Sequence, residues 1–246
     1  LNKSREEVLI NLEQSLNNNE ILIYNKYLER RSKNEPIAYI LEEKEFWSKR
    51  FFVNKATLIP RPETELLVNV LSEMYNNKKI TILDIGTGSG CIILSLLSEL
   101  KTSMGVGVDI SKKAISVAKK NATRLHLLNR VKLQHRSFES IVDKKFDLIV
   151  SNPPYIVSRD IKYLSNDIKK YEPKIALDGG NDGLDLIKKV IYKSKNILKI
   201  KGTLALEIGN EQIKKVSKIL VNNNFKVKRI INDYKHNTRG VVAVYN

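Results

Sequence analysis

Cysteine occurs once in 246 residues, at Cys91, so no disulfide can form within the chain and a disulfide-stapled scaffold is excluded. Histidine occurs three times, and His126, His135 and His236 stand too far apart for metal-ligand spacing. No metal is expected. No apolar run reaches the about 18 residues that a membrane span needs, and the Lys-, Arg-, Glu- and Asn-rich N-terminus lacks a signal-peptide pattern. These absences predict a cytoplasmic protein without a membrane partner. A lone thiol with no paired base reads as core packing rather than a nucleophile.

What is present is a 42% hydrophobic chain, enough for one α/β domain with a small appendage. The formal charge is +16. Such a surface attracts phosphates, so a nucleic acid is a candidate partner. Lysine is nevertheless interspersed with Asn and Ile along the whole chain, which reads equally well as compositional bias, and an acidic protein would suit it too.

Strand-like apolar runs at 80–84, 104–108, 131–135, 146–151, 202–208, 225–230 and 241–245 alternate with helical stretches at 91–100, 111–127, 184–198 and 211–221. Alternation of this kind predicts a seven-stranded, mostly parallel, doubly wound sheet with helices on both faces. Ligands of such sheets lie at the carboxyl ends of the strands. Three features fall there.

The first is the run from Asp84 through Gly86, Thr87, Gly88, Ser89 and Gly90, between a strand and a helix. Alternate glycines let the backbone turn tightly and approach a ligand, and the following helix offers unpaired N–H groups. A dinucleotide fingerprint would need a further glycine where Cys91 stands, so a dehydrogenase is disfavoured. The second is Asp109, roughly 20 residues beyond the loop, where a carboxylate accepts from ribose hydroxyls; it or Ser111 can also cap the next helix.

The third is Asn152-Pro153-Pro154-Tyr155 after the strand at 146–151. Consecutive prolines fix the backbone and donate no N–H, so the turn presents acceptors without competing donors. The Asn152 carboxamide oxygen and the Pro153 carbonyl can each accept one N–H of a planar NH2, with Tyr155 against its flat face. The alternative is a strand that simply stops at a Pro-Pro turn.

The acidic-x-Gly-x-Gly-x-Gly loop resembles the first motif of S-adenosylmethionine-dependent methyltransferases. Together with Asn152-Pro-Pro-Tyr-Ile156, and with Glu35-Pro-Ile-Ala-Tyr-Ile40 through Glu45-Phe-Trp47 to Leu58-Ile-Pro-Arg-Pro-Glu-Thr-Glu65, it makes residues 35–246 similar to the release-factor glutamine methyltransferases, also called PrmC or HemK. The resemblance implies methyl transfer from S-adenosylmethionine to the amide nitrogen of the glutamine in the Gly-Gly-Gln loop of class-I peptide chain release factors. It implies that Gly86, Thr87, Gly88, Ser89 and Gly90 meet the cofactor's methionine end, that Asp109 meets its ribose, and that Asn152 through Tyr155 hold the substrate amide, with Asn152 also bordering the cofactor. The family's acid and aromatic residue near the adenine fall at Arg136 and Ser137, where this chain departs from the pattern. Ser137, Phe138 or backbone groups are left to contact the base. A nucleic-acid amino-methyltransferase would use the same turn on an extruded base, and a basic adaptor without activity is the non-enzymatic rival.

Outside the sheet, Val8, Leu12, Leu16, Ile21, Tyr24 and Leu28 sit at helical spacing, so residues 1–34 read as a helical appendage. The chain begins with Leu rather than Met, which suggests a fragment or missing first helices. Residues 35–60 read as a linker with a β-hairpin whose aromatics are core, and 61–246 as the methyltransferase domain. Arg61, Glu63 and Glu65 suit a proline-led helix start at least as well as the crevice. The long segment 156–183, at a strand's carboxyl end, is expected to serve the substrate and is too short for a separate recognition domain.

Overall fold

The computed structural model describes residues 5–142 and 145–246. The appendage consists of α1 (Arg5–Ile10) and α2 (Asn18–Ser32). A capping box starts α2: the Asn17 side chain accepts from the Glu20 backbone N–H while the Glu20 carboxylate accepts from Asn17 N. None of its residues is buried, so the helical spacing of Ile21, Tyr24 and Leu28 describes a face that covers no core here.

A short α3 (Ile37–Ile40) leads to the hairpin of β1 (Glu43–Phe46) and β2 (Lys49–Phe52). Its two-residue turn, Trp47 and Ser48, has φ of 53° and 52°. Positive φ at both positions matches the turn to the twist of the strands. As expected, Phe46 and Phe51 are core, packed edge to face with centroids 6.0 Å apart.

Then α4 (Pro62–Met74) precedes the sheet, which alternates β3 (Thr81–Ile85), α5 (Cys91–Glu99), β4 (Met104–Asp109), α6 (Lys112–Arg124), β5 (Val131–His135) and β6 (Phe146–Ser151). After a long connection containing α7 (Asn166–Tyr171) come α8 (Asp185–Ile197), β7 (Leu198–Glu207), α9 (Ile213–Asn222), β8 (Phe225–Asn232) and β9 (Thr238–Tyr245). The strand order is β5-β4-β3-β6-β7-β9-β8, with β9 alone antiparallel to its neighbours.

The period of two along each strand divides the core into two layers. Ile82, Leu148 and Ala205 join the cluster containing Leu67, Leu71, Ile93 and Leu97 of α4 and α5. Their neighbours Leu83, Ile149, Leu204 and Leu206 join the opposite cluster with Ile187, Ile191, Val216 and Leu220 of α8 and α9. Helices therefore cover both faces, and the central strands read as continuous apolar runs.

The expected strands are all present, and the main difference is β7, which begins at Leu198 rather than near residue 202. Its pairing with β6 jumps from Phe146↔Leu198 to Leu148↔Thr203, an irregularity that absorbs the extra residues. The chain runs outward from β3 through β4 to β5 and returns to β6 on the other side of β3. That reversal opens a crevice at the carboxyl ends of β3, β4, β6 and β7.

Candidate active site

Gly86, Gly88 and Gly90 all adopt left-handed backbone, with φ of 72°, 55° and 80°. The N–H groups of Gly86 and Thr87 donate to the Val108 carbonyl at 2.9 and 3.0 Å, pinning the loop to β4. A Cβ at Gly86 would meet no atom within 4 Å, whereas one at Gly90 would lie 3.0 Å from Leu94. The loop is thus open to a ligand at its start and closed by packing at its end. Thr87 and Ser89 are buried: the Thr87 hydroxyl donates to Asp84 Oδ2 at 2.7 Å, and the Ser89 carbonyl accepts from Asn121 Nδ2 at 2.9 Å. The Thr87 side chain and the Ser89 backbone carbonyl thus brace the loop from beneath. Burial pushes the Asp84 carboxyl up to about 7, against the lowering effect of the Thr87 hydroxyl.

Asp109 ends β4 and is half-buried. Its Oδ2 accepts from Gly88 N at 3.0 Å and its Oδ1 from Ser111 N at 2.8 Å, while Ser111 itself caps α6 by accepting from Ala114 N. Each carboxylate oxygen has a lone pair to spare, so it can still accept from a ribose hydroxyl. Further along the rim, Ser137 caps a short 3-10 turn by accepting from Glu139 N, and Arg136 folds back onto Ser140. Phe138 is only 7% exposed and belongs to the apolar cluster with Leu83, Ile85, Val108 and Ile141. Its ring is committed to the core and has little face left for a base.

The Asn152–Tyr155 turn lies beside the glycine loop because β6 pairs with β3 in the register Ile85↔Ser151. The Ser151 hydroxyl donates to the Ile85 carbonyl at 2.7 Å, tying the two strand ends together. Among the described residues no donor reaches the Pro153 carbonyl or Asn152 Oδ1. A cavity of about 190 Å³ opens next to the turn, bordered by Leu58, Arg61, Asn152, Pro154, Tyr155 and Glu207. It is smaller than the roughly 300–1,000 Å³ of drug-sized sites.

Two residues behind the turn carry no sequence motif of their own: Glu207, which borders the cavity, and Thr64, which bonds both Glu207 and Asn152. Glu207 is the last residue of β7 and is 4% exposed. Its Oε2 accepts from the Thr64 hydroxyl at 2.6 Å and its Oε1 from the Tyr155 hydroxyl at 3.3 Å. Thr64 Oγ1 in turn accepts from Asn152 Nδ2 at 3.4 Å. Burial pushes Glu207 up to about 7, opposed by these hydroxyls, while nearby Glu63 raises it further. Tyr155 is also raised by burial and by the same carboxylate. A buried acid at the carboxyl end of a strand next to the Asn-Pro-Pro-Tyr strand was the available signal for Glu207.

Arg61, Glu63 and Glu65 do form a helix start, with Pro62 at the first helical position. They also tie elements together. The Arg61 guanidinium meets Glu172 at 2.5 Å, Glu172 accepts from Ile59 N at 3.1 Å, and Glu65 accepts from Trp47 N at 2.9 Å. Segment 156–183 is therefore not a bare loop: it folds into two 3-10 turns and α7, bridges Ile156 to Asp178, and is anchored through Glu172. Cys91 begins α5, and burial pushes its thiol up to about 12, which suits packing rather than nucleophilic attack.

The chain is similar to known proteins. The family described as "Methyltransferase domain" matches residues 76–240. The chain belongs to that family. Residues 1–41 match the "PrmC N-terminal domain". A "Release factor glutamine methyltransferase" of Caulobacter vibrioides is 41% identical over 183 residues, covering 74% of this chain and 63% of that protein. One of the same name from Bradyrhizobium diazoefficiens is 44% identical over 170 residues, covering 68% and 57%. A "Bifunctional methyltransferase" of Rickettsia conorii is 42% identical over 210 residues, covering 75% of this chain and 40% of its own length. The chain thus spans less than two thirds of the length of these relatives. Among solved structures, a methyltransferase from Pyrococcus furiosus superposes with a TM-score of 0.59 at 15% identity, covering 91% of this chain and 95% of that one. Such methyltransferases share the fold of the family. Among the described residues no cluster of His, Cys, Asp and Glu could hold a metal, and no helix is long and apolar enough to cross a membrane.

Proposed function

We propose that the protein transfers a methyl group from S-adenosylmethionine to the side-chain amide nitrogen of the glutamine in the Gly-Gly-Gln loop of class-I peptide chain release factors. The observation that carries this reading is a pair of acceptors without donors, Asn152 Oδ1 and the Pro153 carbonyl, in a turn that borders a small cavity through Asn152, Pro154 and Tyr155 and that strand register sets next to the open glycine loop. The names of the relatives and the match to the PrmC N-terminal domain point the same way.

The residues present fit the cofactor. Gly86 and Gly88 offer a backbone cradle, and Asp109 a carboxylate with remaining acceptor capacity. The cofactor, when bound, supplies an electrophilic methyl on sulfur. What the chain itself must do is hold a poor nucleophile, since an amide nitrogen shares its lone pair with its carbonyl. Asn152 Oδ1 and Pro153 O each take one N–H of the substrate amide, orient its nitrogen and favour the positive charge that develops there. Pro153 and Pro154 keep this turn from rearranging. No general base is required for the attack, because the N–H becomes acidic only as the new bond forms.

Incubation with labelled S-adenosylmethionine and either a class-I release factor or duplex DNA tests the assignment. Label on the Gly-Gly-Gln glutamine is expected. Label on DNA, with none on the release factor, overturns it.

A further inference from the structure

Resting on that reading, the polar wall behind the turn assigns a role that the turn alone does not supply. A primary carboxamide can sit either way round, and only one orientation presents an acceptor to a substrate NH2. The structure shows what selects it. The Thr64 hydroxyl gives its proton to Glu207 Oε2 at 2.6 Å, so its oxygen can only accept, and it accepts from Asn152 Nδ2 at 3.4 Å. The donor end of Asn152 is thereby turned toward Thr64 and its oxygen toward the cavity. The Tyr155 hydroxyl donates to the other Glu207 oxygen at 3.3 Å, holding the far side of the turn to the same carboxylate.

We infer that Glu207 and Thr64 are positioning residues for methyl transfer: ionised Glu207 orders the Thr64 hydroxyl, which fixes Asn152 with its acceptor oxygen facing the substrate amide. These three elements come from distant parts of the chain, with Thr64 on α4, Glu207 at the end of β7 and Asn152 after β6. Both act on the substrate through Asn152: the Thr64 hydroxyl is engaged with Glu207 and Asn152, and each Glu207 oxygen accepts from a hydroxyl of the protein.

The relay has a direction in pH. Protonated Glu207 is itself a donor, which frees the Thr64 hydroxyl to donate to Asn152 Oδ1 and allows the amide to turn over. The ionisable and charged groups around Glu207 are Glu63 of α4, Tyr155 of the turn and the Cys91 thiol at the start of α5, with Arg61 and Arg239 acting on Tyr155, and the Asn152 amide also favours its ionised form. Turnover is therefore expected to rise with pH through about 7 as Glu207 ionises.

Three variants test the relay: Thr64→Val, Thr64→Ser and Glu207→Gln. With release factor as substrate, Thr64→Val should lower kcat by roughly 10- to 100-fold through loss of orientation, with cofactor affinity by calorimetry unchanged. Thr64→Ser, which keeps the hydroxyl, should recover most of that loss. Glu207→Gln should flatten the pH limb near 7. Independently of activity, the side-chain 15N–1H signals of Asn152, assigned with Asn152→Ala, should shift with pH in the wild type and cease to do so in Glu207→Gln. If both hydroxyl-less and amide variants keep turnover and the Asn152 signals ignore pH, the relay is wrong. Should wild-type protein label no release factor while its Asn152 signals still follow Glu207, the relay stands and the substrate reading falls.

Discussion

Replacing Asn121 by leucine probes how the hairpin and the cofactor loop are held together. Asn121 is fully buried on α6. Its Oδ1 accepts from Phe52 N at 2.7 Å, and its Nδ2 donates to the Phe52 carbonyl and to the Ser89 carbonyl, both at 2.9 Å. One side chain thus satisfies the end of β2 and the glycine loop at once. Leucine keeps the branched shape, though it is bulkier, and leaves three backbone groups without partners, each worth about 1–3 kcal/mol when stranded. Allowing for relaxation and water at the half-buried hairpin end, the loss should be about 3 kcal/mol. Urea unfolding of both proteins, with equal slopes, measures it. Because Ser89 lies between Gly88 and Gly90, S-adenosylmethionine affinity should fall as well. A change below about 1 kcal/mol, or full retention of cofactor affinity, would refute this account of the junction.

Arg61→Ala should leave the Glu172 carboxylate, 1% exposed, without its cation and loosen segment 156–183. Roughly 2–3 kcal/mol of stability and faster proteolysis within that segment are expected, the lower figure reflecting the partial exposure of Arg61. Glu207 is raised from 4.5 to about 7, so between those values the folded chain holds a proton that the unfolded chain has released. Its contribution to stability therefore falls as pH rises through that window, and Glu207→Gln should gain about 3 kcal/mol on wild type between pH 4.5 and pH 8, read as the difference in unfolding free energy. Cys91 is half-buried with its thiol pushed up to about 12, so at pH 7 it should react with a thiol reagent far more slowly than a free cysteine and faster as the pH is raised; a rate like that of free cysteine at pH 7 would refute this.

The sheet was legible because its central strands are unbroken apolar runs that end in distinctive turns: Asp84 to Gly90, Asp109, and Asn152 to Tyr155. Their convergence follows from strand order alone, since β3 lies between β4 and β6. What sequence did not reveal were contacts between distant segments. Thr64 sits in a helix start that explains itself by Pro62, and Glu207 ends a strand without any flanking motif, yet they meet across the fold at 2.6 Å. Phe138 was expected among the candidates for the adenine, but the turn at Ser137 sends its ring under the sheet. Gly202 reads as a strand start, whereas the irregular pairing with β6 lets β7 begin four residues earlier, at Leu198.

The central claim is that Asn152 holds the substrate amide and contributes little to holding the cofactor. Paired measurements of S-adenosylmethionine affinity and of turnover on a release factor for Asn152→Ala test it most directly. Turnover should fall by about 100-fold or more while cofactor affinity stays within about twofold of wild type. Equal losses in both, or undiminished turnover, would contradict the account.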